Sequence, residues 1–77
     1  RVNFMNRIHE LTQPVLFVHG EDDAAVLLRY PREAAATVPQ GRLSVIARAG
    51  HFVPVERPRE YAAVVREFLT EQARRPR

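Results

Sequence analysis

The stretch VLFVHGEDD, residues 15–23, runs from an apolar segment into one glycine followed by three acidic residues. The apolar part, residues 15–18, contains no polar residue. A strand with one face in water alternates between apolar and polar residues, whereas an unbroken apolar run is typical of a parallel strand covered on both faces. The stretch therefore predicts a buried parallel strand whose carboxyl end opens into an acidic loop.

A second strand is predicted at residues 43–47, LSVIA, and it opens into RAGH, which ends at His51. The intervening residues 19–42 are too many for a tight hairpin and enough for a parallel crossover that carries a helix. Pro31 suits the first turn of such a helix, and good helix formers follow it. The sequence VPQG, residues 38–41, then predicts a turn before the second strand.

Two further helices flank the predicted strands. Apolar residues in the segment 2–11 recur at helical spacing, and Pro14 stops that helix. A final helix is predicted from Pro58, with an apolar stripe formed by Tyr61, Val64, Val65, Phe68 and Leu69. The expected class is α/β, in the order helix, strand, helix, strand, helix. Two parallel strands leave unpaired edges, so we expect the sheet to be incomplete and to need the rest of a larger sheet or another subunit.

Composition restricts the possible partners and compartment. The 77 residues suffice for one small domain, with no cysteine and a net charge of +3. The arginines are dispersed apart from the tail ARRPR, so we expect neither nucleic acid nor a membrane as partner. The lack of cysteine favours a cytoplasmic location. The opening RVNFMNRIHE has no start methionine or signal-peptide pattern, and we expect the sequence to begin inside a longer chain.

Acidic residues and a histidine are predicted to meet at one rim of the sheet. The carboxyl ends of parallel strands lie at the same edge, where open α/β sheets bind ligands. A carboxylate beside a histidine fixes the ring tautomer and stabilises the imidazolium, as in a nucleophile–base–acid triad. Either Asp22 or Asp23 can supply the carboxylate for His51, and the simpler alternative is a capping aspartate with a loop histidine. His19 is expected to be a packed or solvent-facing residue at the strand end.

Three segments in order resemble the C-terminal segment of the α/β-hydrolase fold family: PVLFVHGEDD, VPQGRLSVI and AGHFVPVERPREYAAVVREFL. They start at residues 14, 38 and 49 and cover nearly the whole chain to Leu69. The resemblance implies that Asp23 is the catalytic acid and His51 the base. Four further residues match family positions that shape the strand entry, the histidine loop and the last helix: Pro14, Phe52, Glu56 and Pro58.

The resemblance also implies a domain organisation. Residues 1–77 would form the C-terminal part of one hydrolase domain. Within it we expect a helix and linker at 1–13, the last two strands with their helices at 14–73, and a basic tail at 74–77.

This sequence departs from the family pattern in two places. The acid is followed by AAVL where family members often have a Val-Pro pair. The three glycines, at positions 20, 41 and 50, cannot form the G-x-S-x-G pattern around a nucleophile. The resemblance implies that the nucleophile and the oxyanion-hole donors lie upstream of this sequence.

The expected function is hydrolysis of an ester or similar bond in a small molecule through a covalent intermediate, as in esterases, epoxide hydrolases or dehalogenases. We expect the chain to be inactive alone. No cofactor is expected, and no metal, because His19, Asp22 and His51 match no metal-binding spacing. The alternative is a non-catalytic binding or scaffold module that keeps the hydrolase sheet.

Overall fold

The computed structural model describes residues 7–75. Their elements are a 3₁₀ helix Ile8–Glu10, strand β1 Val15–Gly20, helix α1 Arg29–Thr37, strand β2 Gly41–Ile46, helix α2 Val53–Glu56 and helix α3 Pro58–Arg74. The α/β class is confirmed, and the short helix α2 is an addition to the predicted order.

The two strands form a parallel pair, as the apolar runs predicted. Val15 lies opposite Gly41 and Gly20 lies opposite Ile46, so the strands run in step from end to end. Helix α1 lies in the crossover between them. Before β2, the N–H of Gly41 donates to the Val38 carbonyl at 3.0 Å, which closes the predicted turn. The parallel pairing places both carboxyl ends at one edge of the sheet.

Both faces of this sheet carry apolar side chains. On one side, buried Ile8, Ala34 and Val38 pack with Leu11, Val15 and Phe17. The other cluster comprises buried Ile46, Ala49 and Val53, with Val18, Tyr61 and Val64 against it. Because successive strand residues point to opposite faces, Phe17 and Val18 contribute to different clusters. The unbroken apolar run of β1 thus packs on both faces of the sheet, with residues 15–18 half-buried.

The helix predicted over residues 2–11 is, in its described part, a single 3₁₀ turn and not an α-helix. The N–H groups of Glu10 and Leu11 donate to carbonyls three residues earlier, at 2.9 and 3.0 Å. Leu11 is already extended and leads the chain towards β1. A 3₁₀ turn also places residues i and i+3 on one side, so Ile8 and Leu11 keep the spacing that suggested an α-helix. Residues 2–6 of that prediction lie outside the described residues.

Helix α3 begins at Pro58 as predicted, but its apolar stripe is only partly covered. Tyr61, Val64 and Phe68 are half-buried, whereas Leu69 is 60% exposed, contrary to the stripe predicted for it. None of the described residues of α3 is fully buried. Two strands are too narrow to cover a helix of 17 residues. The sheet is therefore incomplete in this chain.

Candidate active site

Two loops lie side by side at the carboxyl ends of the strands: the acid loop, residues 21–28, and the histidine loop, residues 47–52. The N–H of Glu21 donates to the Ile46 carbonyl at 2.9 Å, and that of Asp22 to the Ala49 carbonyl at 2.8 Å. Backbone pairing therefore continues past the strand ends and joins the two loops.

Gly20 permits the close approach of these loops. A methyl group added at its Cα would lie 2.7 Å from the carbonyl carbon of Ala49 and would clash with the carbonyl oxygens of Ala49 and Gly50. Backbone atoms cannot move aside as a flexible side chain can. Only a residue without a Cβ fits where β1 meets the histidine loop.

Asp23 is held from two directions. Its Oδ1 accepts the N–H groups of Ala25 and Val26 at 2.8 and 2.9 Å, which curls the acid loop around the carboxylate. Its Oδ2 lies 3.0 Å from Nδ1 of His51. The hydrogen bond from the Val26 N–H, and next the one from His51, lower the pKa of Asp23 below its ordinary value. The residue is only 8% exposed, so a buried and ionised carboxylate faces the histidine.

Asp22 and Glu21 occupy different positions from Asp23. Both side chains are exposed. Glu21 Oε1 lies 3.4 Å from the backbone nitrogen of Arg48, on the neighbouring loop. Of the two aspartates that the sequence left open, the structure places Asp23 against His51.

The hydrogen bond to Asp23 fixes the tautomer of His51. An ionised carboxylate only accepts, so Nδ1 carries the hydrogen and Nε2 is left as the proton acceptor of the ring. The His51 side chain is 51% exposed, which leaves the ring accessible from the rim. Such a pair can take up a proton at Nε2 while the carboxylate stabilises the resulting imidazolium.

Glu56 holds the histidine loop from the other side. Its Oε1 accepts the N–H of Gly50 at 2.8 Å, and its Oε2 accepts the N–H of Phe52 at 3.1 Å. These two donors flank His51 in the chain. Val53 is buried beside them, and Phe52 is exposed with its ring edge-on to His51 at a centroid distance of 5.1 Å. One carboxylate thus fixes the backbone on both sides of the histidine.

His19 is packed, as one of the two expected alternatives, and it makes a contact with the acid loop that the sequence did not predict. It is 9% exposed, and its Nε2 lies 2.8 Å from the Val26 carbonyl oxygen and 3.6 Å from Asp23 Oδ2. The available signal was its position as the last polar residue of a buried strand, directly before the rim. The contact with Val26 depends on the path of the acid loop, which the sequence does not show.

Residues 7–75 contain neither a metal-binding cluster nor a membrane-spanning helix. No group of three or more His, Asp or Glu side chains there is arranged to hold a metal ion. None of the helices in this range has the length and apolar character needed to cross a bilayer.

Comparison with known proteins gives an esterase and several proteins named as hydrolases among the relatives. The chain is 37% identical over 68 residues to the biotin biosynthesis bifunctional protein BioHC of Teredinibacter turnerae, covering 88% of this chain and 12% of that protein. It is 36% identical over 58 residues to esterase YbfF of Escherichia coli, covering 75% of this chain and 23% of the esterase. The chain therefore spans less than a quarter of the length of these relatives. No protein-family model matches it.

A solved structure shares the fold. The crystal structure of a predicted CIB-like hydrolase from Thermoplasma acidophilum superposes with a TM-score of 0.82 at 27% identity. The match covers 86% of this chain and 32% of that one. The resemblance read from the three sequence segments is confirmed by the relatives and by the shared parallel strands. The chain belongs to the α/β-hydrolase fold family.

Proposed function

We propose that this chain supplies the acid, Asp23, and the base, His51, of a hydrolase triad whose nucleophile lies outside these 77 residues. The observation that carries the proposal is the 3.0 Å contact between Asp23 Oδ2 and His51 Nδ1. The carboxylate is buried and the imidazole is half-exposed, which is the arrangement an orienting acid and a working base require. The similarity to esterase YbfF supports the same conclusion.

The proposed reaction cleaves an ester or similar bond in a small molecule in two steps. His51 Nε2 takes the proton of a hydroxyl nucleophile as its oxygen bonds to the acyl carbon, and the imidazolium returns that proton to the departing alcohol. His51 then takes a proton from water as the water oxygen attacks the acyl-enzyme, and it returns that proton to the nucleophile oxygen as the acid is released. If the nucleophile is instead a carboxylate, His51 acts mainly in the second step, on water.

The rest of the sheet is the proposed partner of this chain. The exposed stripe of α3 and the two-strand sheet support this, because a larger sheet would cover both. The name of the relative YbfF supports an ester as substrate. Without a nucleophile and oxyanion hole, the chain alone has no complete triad.

A hybrid esterase tests the proposal. The 77-residue chain would replace the matching segment of YbfF, and hydrolysis of p-nitrophenyl acetate would be measured. We expect activity that His51→Ala removes and that Asp23→Asn lowers on the order of 10⁴-fold. Asp22→Asn is the matched control and should change the rate only a few-fold.

Two outcomes would count against catalysis. Full turnover in the His51→Ala hybrid would contradict the assigned base. A hybrid that melts cooperatively and has no activity, while YbfF is active in the same assay, would favour a non-catalytic binding or scaffold module.

A further inference from the structure

His19 is a buried histidine that the proposed reaction does not use. It lies in β1, one residue before the strand ends, and its ring reaches the acid loop. Its Nε2 is 2.8 Å from the Val26 carbonyl oxygen. Because a carbonyl oxygen only accepts, Nε2 must carry a hydrogen and donate it.

Val26 connects His19 to the acid. Its carbonyl accepts from His19, while its N–H donates to Asp23 Oδ1 at 2.9 Å. That N–H is also the largest cause of the lowered pKa of Asp23. The position of the donor that holds Oδ1 therefore depends on how His19 holds the carbonyl of the same residue.

The same nitrogen of His19 also lies close to the second carboxylate oxygen. The 3.6 Å between Nε2 and Asp23 Oδ2 is too long for a hydrogen bond, but the N–H is close enough to favour negative charge there. Oδ2 is the atom that faces His51 at 3.0 Å. A strand residue, the acid loop and the histidine loop thus meet at one carboxylate.

We propose that His19 is a positioning residue: it ties the acid loop to β1 through the Val26 carbonyl and so keeps Asp23 Oδ2 directed at His51. His51 remains the base, because its ring is half-exposed while that of His19 is buried. This role rests on the proposed function for its catalytic meaning. The contacts among His19, Val26 and Asp23 lie within this chain, so they can be measured without any enzyme activity.

The tautomer of His19 is the first test. Long-range proton–nitrogen NMR spectra of the 77-residue chain near neutral pH distinguish a ring that carries its hydrogen on Nε2 from one that carries it on Nδ1. We expect the Nε2–H form for His19. The Nδ1–H form alone would overturn the proposal, since it cannot donate to Val26.

Substitutions at His19 are the second test. The amide nitrogen of His19→Gln takes the place of Nε2, that of the shorter His19→Asn does not reach it, and His19→Phe has no donor. We expect Phe and Asn to raise the pKa of Asp23 towards its ordinary value, measured by carboxyl carbon NMR. Both should also speed hydrogen exchange of the Val26 amide on the order of tenfold relative to the amides of α3. His19→Gln should keep both the lowered pKa of Asp23 and the slow hydrogen exchange of the Val26 amide.

The outcomes separate this role from simple packing. A packing histidine would lose stability in all three variants without a selective change at Asp23 and Val26. Equal behaviour of Gln and Asn in folded chains would overturn the proposal, even if Phe fails to fold. An inactive hybrid esterase with the expected NMR result would count against the proposed function and leave the positioning geometry supported.

Discussion

The two carboxylate oxygens of Asp23 have different partners: backbone N–H groups hold Oδ1, and His51 contacts Oδ2. All of these groups donate to the ionised form. They therefore keep the charge in place, and they couple the acid to the stability of the fold.

The first prediction, at the scale of the residue, follows from the lowered pKa of Asp23. A carboxyl whose pKa is lower in the folded chain contributes stability above its unfolded pKa of about 3.9 and loses that contribution as pH falls through the folded value. The difference in free energy of unfolding between wild type and Asp23→Asn should therefore be largest near pH 6 and shrink below about pH 4. Urea titrations followed by circular dichroism at several pH values measure it. A difference that grows on acidification would contradict the assignment.

The site residues could be predicted only in part from the sequence. The resemblance implied Asp23 rather than Asp22, while the residue pattern alone left both open. The choice depends on which of two adjacent side chains turns inwards, and that is set by the backbone bonds of the acid loop. The contact of His19 with a carbonyl seven residues later depends on the same loop path. The hydrophobic periodicity of the sequence gives no indication of this contact.

At the scale of elements, α2 fixes the histidine loop through Glu56. The clamp made by Glu56 takes the N–H groups of Gly50 and Phe52, and both would be without a protein acceptor if the carboxylate were removed. The sequence did not predict α2, because its four residues, VPVE, are too few to show a helical period. Its effect on the site comes from one carboxylate rather than from its length.

Glu56→Gln is the second prediction. The amide keeps one acceptor oxygen and turns an N–H donor towards the other backbone N–H, so one of the two hydrogen bonds is lost. We expect a loss of about 0.5–1.5 kcal/mol in the free energy of unfolding, because the group is exposed. Hydrogen exchange of the Gly50 and Phe52 amides should become faster. Glu60→Gln, in the exposed first turn of α3, is the control and should leave those two amides unchanged.

The third prediction concerns Gly20. Gly20→Ala would push a methyl group into the carbonyls of Ala49 and Gly50, so the two loops must separate. We expect the chain to lose stability and the Asp23–His51 contact to weaken together. Urea titration and the carboxyl titration of Asp23 measure these two effects. An unchanged pKa of Asp23 in a stable Gly20→Ala chain would contradict this prediction.

At the scale of the whole molecule, burial is unequal between the first and last elements that the structure describes. Ile8 in the 3₁₀ turn is 1% exposed between α1 and the sheet, whereas Leu69 in the long helix is 60% exposed. The helical period found the apolar side of α3 correctly. It could not show that two strands leave the far part of that side uncovered, since coverage depends on the width of the sheet.

The fourth prediction uses this difference in burial between Ile8 and Leu69. Ile8→Val removes one buried methyl group and should cost about 0.5–1.5 kcal/mol. Leu69→Ala removes three side-chain carbons and should change the free energy of unfolding of the 77-residue chain by no more than about 0.5 kcal/mol. Urea unfolding of the two variants compares them directly. A larger cost for Leu69→Ala would mean that α3 is covered in solution, for instance by a second copy.

Asp23 and His51 are 28 positions apart in the chain and 3.0 Å apart in space. A helix and a strand must be in place before these side chains meet, and closing so long a loop costs entropy that no local structure supplies. A molten globule can keep helical content while losing fixed packing, and it would lose this contact. The part of the Asp23 titration that His51 causes therefore reports whether β1, α1 and β2 have reached their native arrangement, which a far-ultraviolet spectrum alone does not.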